Sequence, residues 1–452
     1  MPFHAKSMNP SRTRLRKRFL PFAIIAFLVA AVLLLSQLAR TPAAQQADSK
    51  SQLATADQLF SDMSKLTGLP IKASHQKKIL GRPEIQKYLT QSLHADYTPE
   101  ELHVQEAILR AFGLASGDFN LEQFLIKFCT EQAAGFYDPH TKTMYMADWI
   151  DPEMQEGVLA HELTHALQDQ NFDLNRFLRA TRENDDASNA RQAIVEGYAM
   201  AGMVQHLLGP EGVDLAGLPS VEPLMARFAD EELAKFPIFA TAPFFFRLQA
   251  LFPYLQGMDF MQRGLKQGGW KELNRLFTDP PTTTKELFQP EIYFAHKPLA
   301  KVSLPQAAFL ANVPGLRPLT ENTMGELGYY AVLGQLISED EAKPVATAWL
   351  ADHYILYEYP DKPDGEGKYV LVARTRWSSA EKSQAFFRDY ETILQKKCPT
   401  LTPDARSNAD LFIGGVGANR VILIRKDDEV RWCEGVPAAQ ADTMLSFLNS
   451  ME

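Results

Sequence analysis

The pentapeptide His161-Glu162-Leu163-Thr164-His165 constrains the fold of this chain more than any other feature. On an α-helix, residues four apart lie on one face, one turn from each other. Two histidines at that spacing can bind one zinc ion through ring nitrogens at about 2.0–2.1 Å. Glu162 lies next to that face, where it can take a proton from zinc-activated water. The motif predicts a helix, a metal and a general base together. Two partly buried histidines on an ordinary helix are the alternative.

Local signals around the motif favour the helix. Asp151-Pro152-Glu153 is a typical helix start, so a helix is predicted over 151–171. Just before it, two runs of aromatic and β-branched residues flank the turn Pro139–Lys142 and predict a short β-hairpin. The second run, Thr143–Met146, could offer a free backbone edge to an extended peptide.

A catalytic zinc site needs a third protein ligand and one open position. Glu196 is the best candidate, because it is the only acid after Asp186 in a helix predicted over 186–208. A lone carboxylate among apolar neighbours is costly to bury unless it is paired or metal-bound. Pairing with Arg191 at the solvent edge is the alternative. The adjacent Gly197 would let a second helix approach closely.

Several further residues are candidates for supporting roles. Asp169 follows His165 by four residues and could accept its second ring N–H. Tyr137, Tyr198 and His206 are candidates for stabilising a tetrahedral oxyanion. His206 also competes as a metal ligand, but nearly three helical turns separate it from Glu196.

The N-terminus predicts a membrane segment. Residues 1–18 hold six Lys or Arg and no acid, and the uncharged stretch Phe19–Ala39 follows directly. About twenty apolar residues span a bilayer, and clustered positive charge keeps its side in the cytoplasm. We expect a cytoplasmic stub, a single-pass anchor in the inner membrane, a linker over 40–54 and an extracytoplasmic, periplasmic remainder. A cleaved signal peptide, which would give a secreted protein, is the alternative.

Charge argues against one class of partner. The chain has a formal net charge of −9, and beyond the first 18 residues 40 basic residues face 55 acidic ones. An acidic body is a poor match for a nucleic-acid backbone, so no nucleic-acid partner is expected. The oligomeric state is left open.

The elements predict an α+β fold in two parts. Residues 55–335 read as a mainly helical domain containing the hairpin and the metal motif, and residues 340–452 as a smaller α+β module. Within the module, the glycine-rich stretch Gly414–Asn419 lacks the lysine and the helix of a nucleotide loop and predicts a hairpin turn. Cys398 and Cys433 both lie in this module, where an exported location would permit a disulfide, leaving Cys129 reduced and buried.

Two resemblances sharpen these expectations. The segment Val158–Asp169, VLAHELTHALQD, resembles the active-site helix of gluzincins, the thermolysin-like zinc peptidases. More of the chain resembles a little-characterised family of bacterial exported metallopeptidases, through stretches that run from EQAAGFYDP to HELTHALQDQNFDL, VEG, PPTTTKELFQPEIY and TAWLADHY. Together the resemblances imply a zincin-like fold, and the second implies one catalytic zinc ion held by His161, His165 and Glu196. They also imply that Glu162 is the general base. The chain departs from these patterns at Met200 and Gln289.

The leading hypothesis is therefore a membrane-anchored, zinc-dependent endopeptidase acting on peptide or protein substrates. There are two alternatives. The first is a catalytically silent zincin-fold module of the cell envelope that binds peptides or proteins. The second is a zinc hydrolase that acts on an acyl bond other than a peptide bond.

Overall fold

The computed structural model describes residues 49–365 and 367–451 of the chain. They form an α+β fold with most helices before residue 315 and a large sheet after it. Before residue 315 the elements are α1 (Ser49–Thr67), β1 (Gln76–Leu80), α2 (Arg82–Asp96), α3 (Pro99–Ala111), α4 (Leu121–Gln132), β2 (Gly135–Asp138), β3 (Thr143–Ala147), α5 (Pro152–Phe172), α6 (Leu174–Arg179), α7 (Asp185–Leu208), α8 (Glu222–Leu233), α9 (Pro237–Thr241), α10 (Phe244–Arg275), α11 (Thr284–Phe288), α12 (Pro290–Phe294) and α13 (Gln306–Asn312). After residue 315 they are β4 (Arg317–Asn322), α14 (Gly325–Leu336), α15 (Glu339–Ala346), β5 (Trp349–Glu358), β6 (Tyr369–Trp377), α16 (Ala380–Lys397), β7 (Thr402–Pro403), β8 (Leu411–Val416), β9 (Asn419–Lys426), β10 (Glu429–Pro437) and α17 (Ala441–Ser450).

The predicted hairpin is confirmed as β2 and β3, which pair antiparallel. They belong to a three-stranded sheet in the order β1-β3-β2, with β1 parallel to β3. Because β3 is central, neither of its edges is free, and the prediction that Thr143–Met146 could accept an extended peptide is wrong. Strand β2 is the edge strand that lies next to α5, and its four residues are all buried.

The two helices predicted to carry the site are confirmed with nearly the expected bounds, as α5 and α7. Pro152 occupies the first turn of α5, where its missing N–H costs nothing. Asp173 ends α5 in a left-handed conformation with φ of 56°, and its side chain accepts the backbone N–H of Arg176 to start α6. Asn184 caps α7 by accepting the N–H of Ala187. Helix α7 packs between α5 and the long helix α10.

The C-terminal sheet has seven antiparallel strands in the order β4-β5-β6-β10-β9-β8-β7. It starts at Arg317, earlier than the module boundary predicted near 340, because β4 pairs with β5 across the intervening helices α14 and α15. The predicted glycine-rich turn is confirmed, since β8 and β9 form a hairpin around Gly417. Alternate residues point to opposite faces: α16 covers one face, and α17 and α13 cover the other.

The predicted disulfide is wrong, because Cys398 and Cys433 are both thiols. Cys433 is fully buried on the α17 face of β10, in the core cluster that includes Ile422 and Met444. Cys398 lies at the end of α16 on the opposite face. The sheet itself lies between the two sulfur atoms. Cys129 is buried in α4, as predicted.

The membrane prediction also needs correction. Within residues 49–365 and 367–451, no helix has the length and apolar content needed to cross a bilayer. The prediction of a single-pass anchor is corrected accordingly: the described part of the chain contains no membrane-spanning helix. The basic stub 1–18 and the stretch Phe19–Ala39 lie outside the described residues. Part of the linker predicted over 40–54 is helical, because α1 begins at Ser49.

Four buried carboxyl groups lie where the start of α7 meets the C-terminal sheet: Asp185, Asp186, Glu326 and Asp352. Asp186 accepts hydrogen bonds from the backbone N–H and the hydroxyl of Thr284, at 2.8 and 2.5 Å. Asp352 accepts the backbone N–H groups of Met324 and Gly325, at 2.9 and 3.0 Å. Lys285 Nζ lies 3.2 Å from Glu326 Oε2. This junction joins the helix that carries Glu196 to the C-terminal sheet.

Burial raises the pKa of Glu326 to about 8 and that of Asp352 to about 7. Unfolded carboxyl groups titrate near pH 4, so between about pH 5 and pH 8 the folded chain holds protons that the unfolded chain has lost. The stability that these two groups contribute should therefore fall as pH rises through this range. Glu326→Gln, which cannot ionise, should reduce the decline by up to about 1.4 kcal/mol per pH unit. Urea unfolding of the wild type and the variant at several pH values in this range measures the difference.

The exposed Glu291 provides the matched control for that experiment. Glu291→Gln should retain the wild-type dependence of unfolding free energy on pH. If Glu326→Gln also retains it, burial does not raise the pKa of Glu326 in the folded protein.

Candidate metal centre

Helices α5 and α7 bring three metal-binding side chains together in the protein interior. Nε2 of His161 lies 2.9 Å from Nε2 of His165 and 3.2 Å from Oε2 of Glu196. Nε2 of His165 lies 3.3 Å from the same carboxylate oxygen. All three residues have no exposed surface. Among the described residues this is the one group of three or more such side chains that could hold a metal ion.

The size of this triangle fits a small divalent cation. A tetrahedral ion with bonds of about 2.0–2.1 Å keeps its ligand atoms about 3.3–3.4 Å apart. The three donor–donor distances, between 2.9 and 3.3 Å, are close to that spacing. Two imidazoles and one carboxylate are the donor set of many catalytic zinc sites. The residues therefore fit the metal predicted from the sequence.

The charges of the three ligands also fit. Burial lowers the pKa of His161 to about 4, so this ring stays neutral and has a lone pair to offer. Burial would lower the pKa of His165 as well, but the adjacent Glu196 carboxylate outweighs it and raises that pKa to about 9. Burial disfavours the Glu196 carboxylate, yet the two histidines hold its pKa well below its usual range. The proton on His165 thus balances Glu196, and a bound cation would replace that proton.

The carboxyl group of Glu162 lies beside the triangle of His161, His165 and Glu196 and is buried. The side chain is fully buried, and neither carboxylate oxygen makes a hydrogen bond of normal geometry with the described residues, although the backbone of Tyr137 lies close enough to favour the charged form. Strand β2 packs directly against it, because a Cβ placed on Gly135 would lie 3.4 Å from Cγ of Glu162. Burial raises the pKa of this carboxyl to about 8. A buried carboxylate without a partner is costly to keep, which is typical of groups retained for chemistry.

Two glutamines that were not predicted from the sequence hold the candidate ligands in place. Oε1 of Gln168 lies 2.7 Å from Nδ1 of His165, and its amide nitrogen donates to the carbonyl oxygen of Val195 at 2.9 Å. The amide nitrogen of Gln192 donates to Oε1 of Glu196 at 2.8 Å. Each glutamine could have been found from its helical spacing, because Gln168 follows His165 by three residues and Gln192 precedes Glu196 by four.

Asp169 does not have the predicted role. Its carboxylate accepts hydrogen bonds from the hydroxyl of Tyr137 at 2.8 Å and from Nζ of Lys142 at 2.6 Å. The ring N–H of His165 is bound by Gln168 instead. Asp169 therefore ties the hairpin to the end of α5. Because its hydroxyl is engaged there, Tyr137 is directed to Asp169 and not to the metal ligands.

The two remaining candidates also point elsewhere. The hydroxyl of Tyr198 donates to Oδ1 of Asn274 at 2.6 Å, and its ring packs against Trp270. Nε2 of His206 lies 3.0 Å from Oε1 of Glu156 in a partly exposed ion pair. Neither residue joins the metal group, so the structure does not support them as oxyanion stabilisers or ligands.

A close helix crossing fixes the position of Glu196. Gly197 in α7 meets Gly257 in α10 backbone to backbone: a Cβ on Gly197 would lie 2.5 Å from the carbonyl oxygen of Gly257 and 2.7 Å from its Cα. The predicted role of Gly197 in close helix approach is confirmed. One turn before Gly257, the buried ring of Tyr254 lies over His161, with ring centroids 6.2 Å apart.

Comparison with known proteins adds one match. A family model described as a domain of unknown function, DUF8575, matches residues 315–445. This region contains all seven strands of the C-terminal sheet and does not include the three candidate metal ligands. No curated protein matches the chain. No solved structure matches it either.

Proposed function

We propose that this protein is a zinc-dependent peptidase whose metal-binding region, before the C-terminal sheet begins at Arg317, has a zincin-like fold. The observation that carries the proposal is the buried triangle of His161, His165 and Glu196 with the unpartnered carboxylate of Glu162 beside it. The order of elements supports it: a small sheet with β2 next to the motif helix, then a second helix that supplies the carboxylate ligand. The local resemblance of Val158–Asp169 to gluzincins points the same way.

The roles of the residues follow from their positions. His161, His165 and Glu196 would hold one zinc ion, which supplies Lewis acidity for activating water and polarising a peptide carbonyl. Glu162 would accept the proton of the attacking water and deliver it to the leaving amine nitrogen. Its apolar surroundings favour this exchange, because a carboxyl group whose pKa lies near neutrality can both take and return a proton.

One observation favours a second candidate function, a zinc-containing module that binds peptides or proteins without turnover. Glu162 and all three metal-binding side chains have no exposed surface. A peptidase has to admit a substrate to this position, whereas a structural zinc site is closed. Turnover therefore decides between the two candidates.

Metal content tests the shared part of both candidates. The purified full-length protein should bind one zinc ion, and Glu196→Gln should weaken binding by at least ~100-fold, beyond the loss typical for partners of ligands. The exposed Glu211, just after α7, provides the control Glu211→Gln, which should keep wild-type affinity. Competition with a coloured chelator measures the affinities, and cleavage of a peptide library by the zinc-loaded protein measures turnover.

Three outcomes of this experiment are informative. Absence of zinc from the wild type would overturn both candidates. Wild-type affinity in Glu196→Gln would remove Glu196 from the ligand set. Stoichiometric zinc with no cleavage of any peptide would favour the binding module.

A further inference from the structure

The side chain of Gln168 connects the two ligand helices at the metal centre. It is fully buried in α5, one turn beyond His165. Its two polar atoms bind different elements: Oε1 lies 2.7 Å from Nδ1 of His165, and Nε2 lies 2.9 Å from the carbonyl oxygen of Val195 in α7. Val195 directly precedes the ligand Glu196. One side chain therefore touches a ligand on α5 and the backbone beside a ligand on α7.

The second of these contacts determines the chemistry of the first. A carbonyl oxygen can only accept a hydrogen bond, so the amide nitrogen of Gln168 has to face Val195. The amide oxygen must then face His165, where it can only accept. Nδ1 of His165 consequently carries a hydrogen, and in the neutral ring the lone pair lies on Nε2. Nε2 is the atom that faces His161 and Glu196.

The other ligands are held differently. Gln192 donates to Oε1 of Glu196 and leaves Oε2 directed at the two histidines. Nδ1 of His161 has no hydrogen-bond partner among the described residues. Of the two ring ligands, His165 is therefore the one whose tautomer is imposed by a described side chain.

We infer, on the basis of the zinc-peptidase function proposed above, that Gln168 is a positioning residue that fixes the metal-binding tautomer of His165 by accepting the hydrogen of its Nδ1. Partners of this kind orient the ring and strengthen the donor nitrogen, and their loss typically costs about 10–100-fold in metal affinity. Gln168 touches no reacting atom and acts through His165.

Two substitutions separate this role from simple packing. Gln168→Met keeps the length and volume of the side chain but makes neither strong hydrogen bond, so zinc affinity should fall about 10–100-fold. Gln168→Glu keeps an oxygen acceptor for Nδ1 of His165 and loses the amide donor to Val195. It should restore affinity to within about 10-fold of the wild type, because a carboxylate is a common partner of a ligand histidine. The d–d absorption of the cobalt-loaded protein should shift in Gln168→Met and stay near that of the wild type in Gln168→Glu.

A nearby glutamine on the same helix supplies the control. Gln170 bonds to the backbone of Lys72 and Ala73 and does not contact a ligand. Gln170→Met should lower thermal stability to some extent while leaving zinc affinity and the cobalt spectrum unchanged. This variant therefore controls for a nonspecific effect of a Gln→Met substitution on the stability of α5.

The outcomes distinguish the inference from the function on which it rests. A wild-type protein that binds no zinc overturns the proposed function. If the wild type binds zinc, equal affinity and equal cobalt spectra in Gln168→Met overturn the positioning role alone. Equal losses of zinc affinity in Gln168→Met and Gln168→Glu also overturn the positioning role. In that case the lost bond to Val195, and not the acceptor for Nδ1 of His165, accounts for the loss. If Gln168→Met does not fold, Gln168→Glu still decides: wild-type cobalt absorption and near-wild-type affinity support the role, and their loss overturns it.

Discussion

Glu162→Gln should leave zinc binding intact and reduce peptide hydrolysis by about 10²–10⁴-fold, the usual contribution of a general base. Glutamine has nearly the same shape as glutamate and still fits the pocket beside Gly135, but it cannot accept the proton of an attacking water. The carboxylate is not one of the three metal-binding side chains, so removal of its charge should not empty the site. Zinc content and turnover with a peptide substrate, measured on the same preparation, separate the two effects.

The control for this prediction lies at the start of the same helix. Glu153 is exposed in the first turn of α5, and Glu153→Gln should keep both zinc and activity. Equal activity of the wild type and Glu162→Gln would show that Glu162 is not the base. If both proteins hold zinc and both are inert, the binding module becomes the better description of the protein.

The core of the candidate site could be predicted from sequence because its signals are local or energetic. The i, i+4 spacing of His161 and His165 places them on one helical face whatever the rest of the fold does. Glu196 stood out because a single acid in an apolar helix needs a buried partner. Neither argument requires knowledge of which helices pack together, and the structure brings these three residues within 3.3 Å of one another.

The supporting residues were harder to predict because they depend on neighbours distant in sequence. Asp169 has a suitable spacing from His165, but Tyr137 and Lys142 of the hairpin bind its carboxylate. Gln168 carries no charge, and its role becomes visible only when Val195 of α7 lies beside it. Tyr198 could have been excluded from sequence, because a residue two positions after Glu196 lies on nearly the opposite side of the helix.

Strand pairing explains two features of the C-terminal region that the sequence did not reveal. Whether Cys433 points to one face of the sheet or the other depends on the alternation along β10, and Cys398 lies beyond the other face. The prediction rested on the fact that both cysteines lie in the C-terminal module, which does not show that the sheet separates them. The early start of the sheet has a similar cause, since β4 is joined to β5 by pairing across two intervening helices.

Gly197→Ala should be among the most damaging single-methyl substitutions in the chain and should also weaken zinc binding. In an open helix, alanine is more stable than glycine by about 1 kcal/mol. Here the added Cβ would lie 2.5 Å from the carbonyl oxygen of Gly257, and the obstacle is backbone, which cannot rotate away. Overpacking of this kind typically costs about 1–3 kcal/mol, and more where backbone must move. We expect a net loss of stability despite the gain in helix propensity.

The expected loss of zinc affinity follows from geometry. Relief of the clash requires α7 and α10 to separate, and Glu196 is the residue directly before the obstructed position. A shift of the carboxylate relative to His161 and His165 would open the donor triangle, and misplacement by about 1 Å can cost about 10²-fold in function. Urea unfolding and chelator competition on the same protein measure the two effects.

Gly217 is the control, because it ends a short 3-10 helix that follows α7, and no atom beyond its chain neighbours lies within 4 Å of a Cβ placed there. Its backbone is not in the left-handed region, so alanine can adopt it without strain. Gly217→Ala should therefore match or exceed wild-type stability and keep its zinc affinity. Gly257→Ala tests the crossing from the other side, where the new Cβ would lie 3.0 Å from Cα of Gly197. Wild-type stability in both Gly197→Ala and Gly257→Ala would show that the two helices do not cross this closely, and the position assigned to Glu196 would then fail with the crossing.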